Sequence, residues 1–208
     1  MGPDRATPAT KRSAGLAPRK PIRVEPPHTP RLALRPLTPE DRAPFIETVR
    51  RSREMLDRWA PLHREGESDE SLFERQLWLT QEGDRTGRAL RRIATLDDGV
   101  IAGAFNLPVI SRGLATRADM NWWIASDLAG QGLATRGVRI LLDHATDDLP
   151  RGLGIHVVEA AIRQDNLASI RVAEKAGFVH NAEDRTYLHA GNDWILHDIY
   201  VYRLGATG

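Results

Sequence analysis

With 208 residues, 41% of them hydrophobic, the chain can bury a full core, and its length favours one domain with some sequence to spare. It has no cysteine, which excludes disulfides, thiolate zinc sites and a cysteine nucleophile. The net charge is only +1, but residues 1–30 hold six basic side chains against two acidic ones, so the basic excess sits in that stretch alone.

Those first 30 residues include seven prolines (Pro3, Pro8, Pro18, Pro21, Pro26, Pro27 and Pro30) and few large apolar groups. Such a segment cannot bury enough surface to offset its ordering entropy, so a disordered Pro-rich basic tail is expected over 1–30 and one folded domain over 31–208. A positive tail can touch nucleic acid or an acidic ribosomal surface, but these charges are sparse and direct nucleic-acid binding is not expected. No apolar run approaches the ~20 residues that cross a bilayer, and the first residues lack the apolar centre of a secretory signal. A cytoplasmic protein without membrane contact is expected. Lys175 is the one lysine after residue 30, an arginine excess that reads as genomic bias and not as a binding signature.

The folded region opens with Arg31-Leu32-Ala33-Leu34-Arg35, which alternates like a half-buried strand and is stopped by Pro36. Thr38-Pro39-Glu40-Asp41 then supplies a cap, a first-turn proline and early acids for a helix to about Arg53. A loop at Trp59-Ala60-Pro61-Leu62 precedes a second helix from Ser68 to about Gln81, with Gly83 marking its end. Strands follow over Ala89–Thr95 and Val100–Val109, joined by Asp97-Asp98-Gly99, a strong hairpin signal. Arg117–Ala125 alternates as one further strand. Beyond a glycine turn, Leu133, Val138, Leu141, Leu142 and Ala145 make the apolar stripe of a helix. Ile155–Ile162 is nearly all apolar, as a strand covered on both faces should be. A short helix runs from Asn166 to about Lys175 and stops at Gly177; Phe178-Val179 opens a strand, and Trp194–Arg203 is the last one, after a turn at Ala190-Gly191-Asn192-Asp193. This order defines an α+β or mixed α/β sheet covered by helices.

The turn Gly130-Gln131-Gly132-Leu133-Ala134-Thr135 joins a strand to a helix start. Unpaired N–H groups, the partial positive charge of the helix and close backbone approach at the glycines make it an anion site suited to a pyrophosphate, although a purely structural turn would look the same. A P-loop is excluded because no lysine follows Gly132, and a dinucleotide fingerprint because antiparallel strands precede the turn.

Asp127-Leu128-Ala129-Gly130-Gln131-Gly132-Leu133-Ala134-Thr135 resembles the acetyl-CoA signature of GNAT acetyltransferases, Gln/Arg-x-x-Gly-x-Gly/Ala, with Ala129 at its first position. Three more segments agree in order: Arg31 to Asp41 is similar to the family's opening strand and helix start, Ala118-Asp119-Met120-Asn121-Trp122-Trp123-Ile124 to the strand before the turn in Rim-type ribosomal-protein N-terminal acetyltransferases, and Asn166 to Phe178 to the family's Asn-x-x-Ser block. The resemblance implies the GNAT acyl-CoA N-acyltransferase fold, a central, mostly antiparallel twisted sheet covered by helices. It implies acetyl-CoA as cosubstrate and an amine acceptor, a protein N-terminal α-amine foremost; a small-molecule amine, or a non-catalytic acetyl-CoA-binding module, stays open. Two strands, Trp122–Ala125 and Ile155–Ile162, would splay beside the turn. By the same resemblance the cofactor would be held by Trp123, Ile124, Ala125, Gly130, Gln131, Gly132, Leu133, Ala134, Thr135, Asn166 and Ser169. Ser169 would protonate the leaving thiolate, and Asp119 is a candidate base acting through water. Asn166 also suits a plain helix N-cap. Trp59, Trp122 and Trp123 are candidate walls of an acceptor cleft. His156, His180, His189 and His197 lack ligand spacing; no metal is expected, and the oligomeric state is open between monomer and homodimer.

Overall fold

The computed structural model describes residues 31–190 and 193–205; the expected tail over 1–30 and the Gly191-Asn192 turn lie outside them. Strand β1 (Leu32–Arg35) ends on Arg35, which grips Asp41 through two bonds of 2.7 and 2.6 Å. That guanidinium holds the Asp41 carboxyl below the usual carboxylate range and fixes the short turn that starts α1 (Arg42–Arg51). The helix expected to reach Arg53 breaks at Ser52, whose Oγ accepts a hydrogen bond from the Ser126 N–H at 3.1 Å, and resumes as α2 (Arg53–Trp59). The break ties the helical layer to the segment just before the glycine turn. Helix α3 (Asp69–Thr86) starts where expected, with Ser68 as its N-cap, but runs through Gly83. A Cβ there would lie 2.9 Å from the Ala89 carbonyl oxygen, so Gly83 is a packing glycine, and Gly87, with φ +65°, ends the helix.

The strands that follow are β2 (Leu90–Leu96), β3 (Ile101–Leu107), β4 (Ile110–Ser111), β5 (Arg117–Asp119) and β6 (Asn121–Ile124). Then come α4 (Leu133–Thr146), β7 (Val157–Ile162), α5 (Leu167–Ala176), β8 (Val179–Ala190) and β9 (Asp193–Arg203). They form two sheets, β1-β2-β3-β6 and β4-β5-β7-β9-β8, antiparallel throughout except where β5 meets β7. No helix among the described residues is long and apolar enough to cross a membrane.

Helices α1 and α3 cover one face of the first sheet, burying Phe45, Val49 and Phe73 against Ile93 and Trp123. Helix α4 covers the other face with its expected stripe, and Leu133, Val138, Leu141, Leu142 and Ala145 are all buried against Phe105, Val158 and Ala160. Gly137 lets α4 come this close: an added Cβ would sit 2.1 Å from the Phe105 ring, which is itself fully enclosed. Gly137→Ala is therefore expected to lower stability by about 1–3 kcal/mol despite alanine's better helix propensity. A urea melt reads this directly, and an unchanged midpoint would mean that Phe105 can yield.

Candidate active site

The site begins where residues 117–125, expected as one strand, divide between the sheets. Strand β5 pairs in parallel with β7, the Met120 N–H still donates to the Glu159 carbonyl at 2.7 Å, and from Asn121 onward β6 pairs with β3 instead. The chain thus passes from one sheet to the other at Met120. Strands β6 and β7 part from there, as the resemblance implied, and open the centre of the molecule.

Below β6 lies the glycine turn. A single helical turn at Ser126–Leu128 is anchored by the Ser52 bond and by an Arg51–Asp127 ion pair of 3.2 Å. Gly130 and Gly132 have φ of +79° and +76°, a region L side chains rarely adopt. Gly132 is the N-cap of α4 and brings no capping side chain, so the first-turn amides lack intrahelical acceptors. A Cβ on either glycine would meet nothing within 4 Å, so the space beside these amides is open. It belongs to a cleft of about 390 Å³ that Trp123, Ile124, Gly130, Gly132, Leu133, Ala134, Thr135, Asn166 and Ser169 line together. Of the expected cofactor residues, Gln131 and Ala125 stand apart: Gln131 is exposed, and Ala125 is buried with its N–H on the Ala102 carbonyl. Arg171 and Lys175 of α5 add two cations to the same cleft.

A second cleft, of about 410 Å³, lies on the α1–α3 side of the parting strands. The two share Trp59, Ala60, Trp122, Trp123, Asn166 and Ser169, so Ser169 sits where they meet. Asn166 caps α5, its Oδ1 accepting from the Ser169 N–H at 3.1 Å; this positions the serine and leaves the amide nitrogen of Asn166 for other partners. The outer wall is held by arginines. Arg75 clasps Glu67 through bonds of 2.7 and 2.6 Å and also donates to the Leu62 carbonyl, fixing the loop expected after Trp59 and driving the Glu67 carboxyl down to about 2. Arg163, after β7, reaches across to the Arg58 carbonyl and lies 4.9 Å from the Trp59 ring centre.

The two candidate proton acceptors are placed differently. Asp119 is exposed on β5 and lines neither cleft, though crowding by its neighbours strips hydration and raises its carboxyl above the usual range. His197, grouped in the sequence with histidines of no assigned role, lines the second cleft and is only 8% exposed. Its Nδ1 lies 2.8 Å from the Ile195 carbonyl oxygen. A carbonyl can only accept, so Nδ1 carries a proton, which leaves Nε2 as the ring nitrogen able to take one. Nothing in the sequence around His197 signals this, because the cleft is assembled from elements far apart in the chain, α3, β2, β3, β6, β7 and α5 among them.

A helix start without a capping side chain, placed after two glycines, offers free amides to an anion, and the cleft beside it opens through a shared wall onto a second one. Residues 31–179 match the model of the acetyltransferase (GNAT) domain family, and the chain belongs to that family. Among curated proteins, it is 31% identical over 107 residues to the probable N-acetyltransferase YjcK of Bacillus subtilis, a match spanning 51% of this chain and 57% of the relative. Over 175 residues it is 24% identical to the putative ribosomal N-acetyltransferase YdaF of the same organism, covering 83% of this chain and 90% of that one. The structure of Mycobacterium smegmatis RimJ in complex with CoA-disulfide superposes with a TM-score of 0.73 at 24% identity, over 83% of this chain and 82% of that one.

Proposed function

We propose that this chain transfers the acetyl group of acetyl-CoA to an amine, and that the amine is the N-terminus of a protein. The observation that carries the reading is the pair of clefts meeting at Ser169, one suited to a phosphate-bearing donor and the other to an acceptor. Support for the acceptor class comes from YdaF, named as a ribosomal N-acetyltransferase, and an acceptor on the ribosome sets the work in the cytoplasm.

The residues present fit acetyl-CoA, which supplies an activated acyl group. The first-turn amides of α4 beside Gly130 and Gly132 would hold its pyrophosphate, with Arg171 and Lys175 as further cations for phosphate. The amide of Asn166 and the walls at Trp123 and Ile124 would hold the arm that leads to the reacting end. Ser169 Oγ would give a proton to the departing sulfur. His197 Nε2 would take the amine's proton, a role for which Asp119, outside both clefts, would need intervening water. The aromatic wall of Trp59, Trp122 and Trp123 would exclude solvent and position the acceptor.

The test is acetyl-CoA thioester loss with a panel of N-terminal peptides and small amines. Acceptor-dependent thiol release with peptides is expected; tight CoA binding without any such release would overturn the enzyme reading. In the same assay Ser169→Ala is expected to lower kcat roughly 100-fold while CoA affinity changes less than about threefold. An unaltered kcat would remove the serine from the mechanism.

A further inference from the structure

Five arginines line the acceptor-side cleft, Arg58, Arg75, Arg91, Arg92 and Arg163, and no aspartate or glutamate does so among the described residues. Four of them are accounted for. Arg75 is clasped by Glu67, Arg92 pairs with Asp84 at 2.9 Å, Arg163 pairs with Asp165 at 2.7 Å, and Arg58 lies over the Trp59 ring at 4.6 Å. Arg91 differs: its Nε is buried and has no hydrogen-bond partner among the described residues. Burial, with the nearby charge of Arg75, pulls its guanidinium below the ordinary arginine value, the direction expected of a cation that has lost water without gaining an anion. The same side chain lines a cleft that offers cations and no carboxylate among the described residues, so an anion entering it would meet this guanidinium without displacing a partner.

The sheet register says where that something would lie. Arg91 stands opposite Asn106 on β3, and Asn106 opposite Asn121 on β6, with Asn106 Nδ2 donating to Asn121 Oδ1 at 2.9 Å. The three form a polar row across the floor of the cleft, leading from Arg91 to the strand that parts from β7. Two strand spacings amount to about 10 Å, which an extended peptide covers in about three residues.

We infer that Arg91 is a specificity-determining residue that binds a carboxylate carried within the first four residues of the acceptor, so that this protein selects acidic N-termini. The inference rests on the acetyltransferase reading for its substrate and on the arginine-lined, carboxylate-free cleft around Arg91 for its sign. A guanidinium donates in a fixed fork that matches a carboxylate, and the other arginines add a positive field that steers an anionic peptide into the cleft.

The experiment compares two peptides, Ser-Ala-Asp-Glu and Ser-Ala-Asn-Gln, each extended by the same neutral sequence, as acceptors for the wild-type protein, Arg91→Gln and Arg91→Lys. Wild type is expected to favour the acidic peptide in kcat/KM by roughly 10- to 100-fold, mostly through KM. In Arg91→Gln the two peptides should come within about twofold of each other while the neutral peptide keeps its rate, and Arg91→Lys should restore part of the preference. Equal rates in wild type, or a preference that survives in Arg91→Gln, overturns the inference. Titration of both peptides into the CoA-loaded protein reads the preference without turnover. A binding preference without acetyl transfer keeps the inference and overturns the transferase reading, whereas transfer that ignores peptide charge does the reverse.

Discussion

A Gly132→Val protein is expected to fold and to bind CoA at least about 100-fold more weakly than wild type, measured by isothermal titration. Two effects combine. Valine at φ +76° is strained by on the order of 1–3 kcal/mol, which the chain relieves by turning the first peptide units of α4 away from the cleft. The branched side chain would also stand in the open space beside those amides, where no atom beyond the glycine and its chain neighbours lies within 4 Å of a Cβ. Each 1.4 kcal/mol is tenfold in affinity, so misaimed amides and lost contact together reach the expected factor. Gly99→Val is the control: φ is +82°, the surroundings are equally open, and the position is a hairpin turn away from both clefts. It should lower the melting temperature and leave CoA affinity intact. Normal affinity in Gly132→Val would count against the whole cofactor assignment.

What the sequence made legible was local. The glycine turn, the cap at Asn166 and the Asp97-Asp98-Gly99 hairpin all depend on residues within a few positions of one another, and each lies where it was expected. The errors arose where a tertiary partner decides. Gly83 reads as a stop because glycine usually ends helices, but its neighbour in space, Ala89, demands a missing side chain. Ser52 interrupts a helix for a bond to Ser126, 74 positions away. Residues 117–125 alternate without a break, and alternation has the same period whichever sheet a strand joins, so the handover at Met120 left no trace in the pattern.

The acceptor side was less legible for the same reason. Arginine is common along the chain, so Arg91 looked like compositional bias. Its distinction is relational: Arg75, Arg92 and Arg163 have carboxylates, whereas the buried Nε of Arg91 has no partner among the described residues, which only the assembled cleft reveals. The candidate donor side, by contrast, is built largely from backbone amides at a helix start, and backbone geometry is what glycine spacing encodes.

The proton acceptor is where sequence and structure point to different residues, and a pair of variants separates them. His197→Gln is expected to lower kcat roughly 100-fold or more near neutral pH, with CoA affinity unchanged, because glutamine keeps a hydrogen-bonding side chain in a buried position but takes no proton. The loss should shrink as pH rises toward the amine's own pKa, since an acceptor already neutral needs no base. Asp119→Asn should change kcat less than about threefold, as its carboxylate lines neither cleft. The opposite ranking, a large loss in Asp119→Asn beside a near-normal His197→Gln, would return the base role to Asp119 and require a water chain past Asn121. Equal losses that respond alike to pH would mean both act on one proton, and the double variant would then lose no more than either single one.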